Sequence, residues 1–416
     1  TGGTGATQDF QNLTISNTAT TASLSTNAID IDGTLTIDAS AVLDIEGQAI
    51  TAATLANNGT LRMQGGETVT ITTKDTDSGT VYYDGTSSYS GLAYGDNYYD
   101  ATFVSAGSGV WTLTGNMDAN RNMTVTTGTV DVGADKTINV DGTLTIDGGT
   151  ITGSSNNVVI TANAITHTSG TISTTTSGNM TINSVGTPGA FAFATITSAG
   201  NIDIGNTLAP SSIAFNGVSV RTTSAGKTLK AYSNGGITQN NNDIGSGTRF
   251  LAVYFYPDYD SAGSDGTFTK TAGTISATDT YIDISSGLTL AGIALNKSDT
   301  NLHIGKNTTP SSVNITGVVS PGGSNTGVVL YIYSNGGITQ NANIGASNAT
   351  FSAVYIYPDY NSTGSDGVFT MTSGTVKATN TYIDMSTALT ITGMVILDAS
   401  QNFYIGNTTK PSSIGI

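Results

Sequence analysis

Residues 122–149 read NMTVTTGTVDVGADKTINVDGTLTIDGG, and the pattern of this stretch decides the fold. Its apolar residues form pairs with one polar residue between them, such as Met123 with Val125 and Ile138 with Val140, and a new pair starts about every seven positions. A period of two indicates β-strands, because successive side chains of a strand point to opposite faces. Glycines between the pairs indicate corners. Strands so closely spaced favour a coil over a β-sandwich, whose strands begin about 8 to 12 residues apart.

The sequence therefore predicts an all-β fold, a parallel β-helix (β-solenoid) with about 20 residues per coil. Three short strands would form each coil, and each coil would stack on the next at roughly 4.8 Å. Such stacking predicts an elongated rod. The pattern leaves the handedness of the solenoid open.

The second part of the chain repeats itself with a long period. The octapeptide SNGGITQN occupies residues 233–240 and returns at 334–341, and YPDY at 256–259 returns at 357–360, in both cases 101 positions later. We therefore predict an irregular β-solenoid over residues 1–159, and over 160–416 a β-solenoid of tandem units of about 101 residues with a truncated third unit. A unit of this length is expected to hold about five coils.

Tyrosines crowd residues 82–99, where the alternation loosens. We interpret this stretch as a protruding loop or a distorted coil in which the rings cover a corner of the solenoid; a patch that stacks on sugars is the functional alternative. Trp111, the single tryptophan, is expected to lie in the core or to line a groove.

Charge and composition exclude several classes of function. Thirteen Lys and Arg against 29 Asp and Glu give a net charge of −16, and the basic residues are scattered singly. No patch is therefore available to neutralise a phosphate backbone, which excludes nucleic acid as a partner. The absence of cysteine excludes disulfides and thiolate metal sites. No apolar run approaches the roughly 20 residues of a membrane helix, so the chain is predicted not to span a membrane.

One repeated acidic loop is a candidate calcium site, because hard cations prefer closely spaced oxygen ligands. Turn formation is the alternative explanation, since Asp-Gly makes tight turns unaided. No cofactor is required by the sequence, and calcium is the one candidate. The candidate ligands are Asp258, Asp260 and Asp265 in the first copy and Asp359, Asn361 and Asp366 in the second.

The sequence argues against catalysis. A hydrolase or lyase needs one special place with clustered acids and a base, whereas the strongest acidic loop here is duplicated. Its nearest basic residue, Arg249, is replaced by Thr350 one period later. His167 and His303 are far apart in the chain, and we predict that both occupy exposed strand positions. We therefore expect no enzymatic activity.

Three segments carry a resemblance to known proteins: WTLTGN at 111–116, MTVTTGTVDV at 123–132 and DGTLTI at 141–146. They resemble the Gly/Thr/Asn-rich β-solenoid repeats of large bacterial surface proteins. The later units with SNGGITQ are similar to filamentous-haemagglutinin-type adhesins and autotransporter passengers. The resemblance implies an extracellular or cell-surface location and a role as a fibre or adhesin, and it implies no catalytic residues.

These observations together predict an extracellular structural β-solenoid that forms a surface fibre, stalk or filament and adheres along its flank. The last unit stops partway and has no visible polar cap, so we expect the partners to be other copies of the chain, end to end or laterally, or the continuation of a longer chain. Surface glycans or receptors on host or neighbouring cells are further candidates. The alternatives are a carbohydrate-active enzyme on a β-helix scaffold and a viral or phage fibre protein.

Overall fold

The computed structural model of the chain is a parallel β-solenoid of about 17 turns with about 22 residues per turn, which confirms the predicted fold class. It describes residues 7–240, 243–261, 266–295, 301–322, 327–346, 348–361, 368–385, 387–393 and 401–415. Over these ranges it contains no helix with the length and hydrophobicity of a membrane span. The chain divides into two compact units, Thr1–Thr187 and Pro188–Ile416.

The first unit contains strands that pair in parallel from one turn to the next. They are β1 (Thr7–Phe10), β2 (Leu13–Ile15), β3 (Ala22–Ser23), β4 (Ala28–Ile37), β5 (Val42–Asp44), β6 (Ile50–Asn57), β7 (Thr60–Met63), β8 (Val69–Thr73), β9 (Thr80–Tyr83), β10 (Ser88–Ser90), β11 (Asn97–Val104), β12 (Val110–Thr112), β13 (Met117–Thr127), β14 (Thr129–Asp131), β15 (Thr137–Thr152), β16 (Val158–Ser173) and β17 (Met180–Ser184).

Strand β15 shows how the sequence forms one turn. It pairs with β16 in three segments, at 137–140, 143–147 and 150–152, and breaks in register separate them near Gly142 and Gly148. Gly148 has a φ of 104°, a conformation that a side chain disfavours. Apolar residues of each segment point inward, so Leu144 lies against Met123 on one side and Ile165 on the other. Turns in this unit are 18 to 23 residues long, as the registers of Leu43 with Leu61 and of Val104 with Thr127 show.

The second unit has the same parallel pairing. Its strands are β18 (Ala190–Ser198), β19 (Ile202–Ile204), β20 (Ser212–Thr222), β21 (Thr228–Tyr232), β22 (Ile237–Gln239), β23 (Asp243–Ile244), β24 (Phe250–Tyr256), β25 (Gly266–Lys270), β26 (Ala277–Ile282), β27 (Gly287–Ala294), β28 (Asn301–Ile304), β29 (Ser312–Ser320), β30 (Val329–Tyr333), β31 (Ile338–Gln340), β32 (Phe351–Tyr357), β33 (Val368–Met371), β34 (Ala378–Ile383), β35 (Leu389–Thr392), β36 (Asn402–Ile405) and β37 (Ile414–Gly415).

Each long repeat of the second unit comprises four turns. One column of paired residues descends through Ile202, Leu229, Val253, Thr280, Leu302, Leu330, Val354, Thr381 and Phe403. The steps along this column are 22 to 28 residues, so the expectation of five coils per repeat is wrong. Longer connections between strands, such as the turn at 257–261, take up the extra residues. At roughly 4.8 Å per turn, one repeat rises about 19 Å.

The motif SNGGITQN combines a bend with a short strand, β22 in the first copy and β31 in the second. Chain bends occupy Asn234 and Asn335 with the glycines that follow them. The glutamine of each copy then points into the core. The Nε2 of Gln239 donates to the Thr274 carbonyl at 3.2 Å, and the Nε2 of Gln340 donates to the Thr375 carbonyl at 3.2 Å. Each buried amide thereby ties two consecutive turns together.

The aromatic stretch at 82–99 was expected to be a protruding loop or a distorted coil, and three of its tyrosines lie in the core of the solenoid. Tyr83, Tyr94 and Tyr98 are fully buried. The hydroxyls of Tyr83 and Tyr98 hydrogen-bond to each other at 2.9 Å, so the phenols satisfy their polar atoms inside the core. Tyr83 also stacks on Phe103 with ring centroids 5.1 Å apart, and Trp111 lies in the same core cluster. These buried rings are unavailable for sugar stacking.

Candidate functional site: a tyrosine ladder and two acidic cavities

A continuous ladder of stacked rings follows one outward-facing column of the second unit. Strand register places one ring on each of seven successive turns. The ladder consists of Tyr254, Tyr281, His303, Tyr331, Tyr355, Tyr382 and Tyr404. Its neighbouring centroids are 4.5–5.0 Å apart and its ring planes differ by 7–13°. The ring spacing matches the rise of a solenoid turn, so every turn adds one stacking contact.

Two charged residues precede the first ring of the ladder in the same column. Lys230 is in register with Tyr254, and its Nζ lies 5.8 Å from the centroid of that ring, within range of a cation–π contact. Asp203 is in register with Lys230 on the preceding turn. The column therefore begins with an acid and a base and continues as aromatic rings.

A second, interrupted column runs beside the ladder. Tyr232 stacks on Tyr256 at 4.5 Å in the first copy, and Tyr333 stacks on Tyr357 at 4.9 Å in the second. Tyr256 lies beside the ladder ring Tyr254, with the centroids 6.3 Å apart and the planes 2° apart. The two columns form one surface of parallel rings, which we call the tyrosine face.

Three hydroxyls of the tyrosine face stay protonated at neutral pH. Burial raises the pKa of Tyr232, Tyr281 and Tyr333 to about 12 in each case, and neighbouring tyrosines, together with aspartates near Tyr232 and Tyr281, add to the effect. Most ladder rings are half-buried, and Tyr404 is 38% exposed. Because the ring faces cover one another, the face presents ring edges and hydroxyl groups to solvent.

An acidic cavity follows the interrupted column in each repeat. The cavity of the first copy has a volume of about 120 Å³ and that of the second about 280 Å³. Both contain two aspartates and two tyrosines at equivalent positions 101 residues apart. The shared lining is Tyr256, Asp258, Tyr259 and Asp283 in the first copy and Tyr357, Asp359, Tyr360 and Asp384 in the second.

Hydrogen bonds hold both carboxylates of the first cavity. Asp258 has a left-handed backbone with a φ of 56°, is 2% exposed and accepts a hydrogen bond from the Ser286 hydroxyl. Asp283 accepts one from the Asn307 backbone N–H at 3.0 Å and another from the Asn307 Nδ2 at 2.7 Å. Burial raises the pKa of the Asp283 carboxyl, and the bonds from Asn307 oppose that shift.

The second cavity lacks some of these donors. Asp359 Oδ2 accepts a hydrogen bond from the Thr387 hydroxyl at 2.8 Å, and Asp384 Oδ1 accepts one from the Thr408 backbone N–H at 3.1 Å. Thr408 occupies the position of Asn307 but has no side-chain amide. Asp359 Oδ1 and Asp384 Oδ2 are buried and have no hydrogen-bond partner in the part of the chain that the structure describes.

The structure separates the predicted calcium ligands. Asp258 and Asp359 are buried at the cavities, whereas Asp260 and Asn361 are exposed. Asp265 and Asp366 lie outside the described residues. Within the described ranges no group of three or more His, Asp or Glu is arranged to hold a metal ion. Calcium binding remains a prediction.

Sequence reasoning missed the second aspartate of each cavity. Asp283 follows Asp258 by a full turn, so their proximity is not local in sequence. A signal was nevertheless present, because the tripeptide YID recurs at 281–283 and 382–384 with the same period as YPDY. Two acidic motifs with one common period are expected to share a face of a solenoid.

Both histidines were predicted to be exposed, and this is wrong. His167 is 2% exposed because it occupies an inward position of β16 that pairs with the core residue Ile146. His303 is 4% exposed because it is a rung of the ladder, 4.8 Å from the Tyr281 ring and 4.9 Å from the Tyr331 ring. An imidazole takes the place of a phenol there.

The buried His303 is expected to make stability depend on pH. Burial lowers its pKa from 6.5 to about 4; Lys306 reinforces the shift and Asp279 opposes it. Between these values the unfolded chain binds a proton that the folded chain does not, so stability falls as the pH falls from about 6.5 to about 4. The loss attributable to this residue is about 2 to 3 kcal/mol.

The matched variant for this prediction is His303→Tyr, because Tyr404 occupies the equivalent position one repeat later. Urea denaturation at pH 7.5 and pH 4.5 should show a smaller acid-induced loss for the variant than for the wild type. Equal losses in the two proteins would mean that His303 does not titrate as its burial implies.

Comparisons of the chain with protein families, with curated proteins and with solved structures found no match.

Proposed function

We propose that this protein is an extracellular structural β-solenoid, a fibre or stalk element that adheres through the tyrosine face. The observation that carries the proposal is the unbroken seven-ring ladder, in register on successive turns of the second unit. Side chains at outward positions of a strand do not fill the core, so core packing does not explain these rings. Repeated, half-exposed rings on one side are the kind of surface that binding proteins use.

The chemistry of the face favours a partner with regularly spaced hydroxyl groups. Phenol hydroxyls donate and accept hydrogen bonds, and apart from the His303 rung they recur at about 4.8 Å along the ladder. Because the ring faces are already stacked, the partner meets edges and hydroxyls. A polysaccharide chain or particle offers many matching hydroxyls, so individually weak contacts add up through multivalency.

The remaining features of the chain agree with a structural role outside the cell. Stability without cysteine is supplied by stacked turns, buried apolar columns and the ladder, and only 10% of the residues are charged. We propose that the chain is not an enzyme, because the acidic cavities recur with the repeat and no Lys, Arg or His is duplicated with them in their described linings.

The test replaces tyrosines of the ladder with phenylalanine, which removes the hydroxyl groups and keeps the rings. A triple variant with Tyr281→Phe, Tyr355→Phe and Tyr382→Phe should bind insoluble polysaccharide, such as cellulose, chitin or peptidoglycan, about tenfold or more weakly than the wild type, since each lost hydrogen bond contributes about 0.5–1.5 kcal/mol. Binding is measured by depletion of protein from solution over a range of particle concentrations.

The matched control is a second triple variant, Tyr82→Phe, Tyr89→Phe and Tyr99→Phe, at half-buried tyrosines of the first unit. It should bind like the wild type, and both variants should keep the wild-type circular dichroism spectrum. The proposal fails if the wild type binds none of the polysaccharides, or if the two triple variants bind equally.

A further inference from the structure

We propose that the second acidic cavity binds a quaternary ammonium group. The cavity is lined by Tyr333, Tyr357, Tyr360, Asp359, Asp384, Met385, Thr408 and Thr409 and has a volume of about 280 Å³. It combines aromatic walls with two carboxylates, and this combination is the chemistry that recognises a trimethylammonium ion.

The tyrosines form a corner of perpendicular rings. Tyr333 and Tyr357 are stacked, and the Tyr360 ring stands at 69° to the first and 66° to the second, with centroid distances of 4.9 Å and 6.0 Å. Tyr360 is 54% exposed although it is a large ring beside a cavity. Rings at right angles surround a compact cation better than parallel rings do.

The interrupted column leaves the Tyr357 ring without a stacking ring on its next turn. The Asp384 backbone N–H donates to the carbonyl of Ile356, which places Asp384 one turn beyond Tyr357. On that turn the second column has the Asp384 carboxylate, whereas the ladder beside it has the Tyr382 ring.

The two carboxylates are incompletely satisfied. Asp359 and Asp384 are each 2% exposed, and each has one oxygen without a donor among the described residues. A buried carboxylate without full hydrogen bonding is costly unless a positive charge compensates it. Among the described residues, no Lys or Arg lines this cavity. An organic cation held by the tyrosine corner would supply the missing charge.

The first cavity is an internal comparison. There Asn307 donates two hydrogen bonds to Asp283, so that carboxylate is satisfied without a ligand. A metal ion suits the second cavity less well, because calcium requires six to eight oxygen ligands and much of this lining is aromatic. An organic cation is therefore expected in the cavity of the second copy and not in that of the first.

The test is isothermal titration of the full chain with choline chloride. The neutral isostere 3,3-dimethyl-1-butanol has the same shape without the charge and should bind at least about tenfold more weakly. Asp384→Asn and Tyr360→Ala should each weaken choline binding about tenfold, whereas Asp283→Asn and Tyr259→Ala, at the equivalent positions of the first copy, should leave it unchanged.

Thr408→Asn is the sharpest variant, because it restores the amide that Asn307 provides in the first copy. It should weaken choline binding without lowering thermal stability. Equal binding of choline and the isostere, unchanged binding in Asp384→Asn, or a heat signal with calcium chloride that choline does not compete away would each overturn the proposal.

A further experiment identifies the source of the ligand. Co-sedimentation with phosphatidylcholine vesicles, lost in Asp384→Asn, would place the trimethylammonium group on a lipid surface. Choline binding without co-sedimentation would indicate a free or polymer-attached ligand. Either result supports the cavity as a quaternary ammonium site.

Discussion

Trp111→Ala is expected to lower the free energy of unfolding by about 3 to 5 kcal/mol, the usual range for deleting a buried tryptophan. Trp111 is fully buried, and its ring lies 5.3 Å from Phe103 and 6.3 Å from Tyr89 between centroids. Its Nε1 donates to the Gln64 carbonyl at 2.8 Å. Alanine would leave a cavity and would also remove the donor from a carbonyl two turns away in the chain.

The measurement is the urea midpoint followed by far-UV circular dichroism, because the variant has no tryptophan left to report by fluorescence. Thr112→Ala, at the half-buried next position of β12, is the control and should change stability by no more than about 0.5 kcal/mol. A Trp111→Ala protein that unfolds at the wild-type midpoint would show that the aromatic cluster is not packed as described.

Gly217→Ala is expected to cost about 3 kcal/mol in the second unit, at the upper end of the usual range for overpacking. A Cβ at this position would overlap the backbone of Ala194 on the preceding turn, including its Cα and carbonyl oxygen. Backbone atoms cannot move aside by changing a rotamer, so the two turns would have to separate. Gly317 stands at the equivalent place and would meet the backbone of Ala291.

Gly337→Ala is the matched control for this substitution. A Cβ there would lie 3.5 Å from the Val368 carbonyl oxygen, which is ordinary van der Waals contact. Thermal melts of the two variants should therefore differ, with only Gly217→Ala shifted strongly downward. Identical melting temperatures would contradict the close approach of the turns at Gly217.

Period-two alternation was sufficient to predict the fold, because inward residues such as Leu144 and Ile146 alternate with polar ones in a way that only strands accommodate. The length of the long repeat was equally visible in SNGGITQN and YPDY. The number of turns per repeat was not, because longer connections such as 257–261 have no distinct signature and a coil of about 20 residues was carried over from the first unit.

The tyrosine face could not be predicted from alternation alone. Outward positions of a strand are expected to be polar. Tyr254 and Tyr281 belong to different turns, and the sequence does not show that these two residues are in register. His303 was misassigned for the same reason: a polar side chain at an outward position is buried here because rings stack above and below it. Asp384 was missed because its partner residues lie a turn away in either direction.

The 101-residue repeat contains a whole number of turns, so the number of copies can change without disturbing the register of the turns. Gain or loss of one 101-residue copy by recombination would leave every column in phase, so the same side of the molecule would still carry the rings. Each inserted copy would lengthen the ladder by four rungs and add one more acidic cavity. The number of rungs and cavities can therefore change without redesign of the fold.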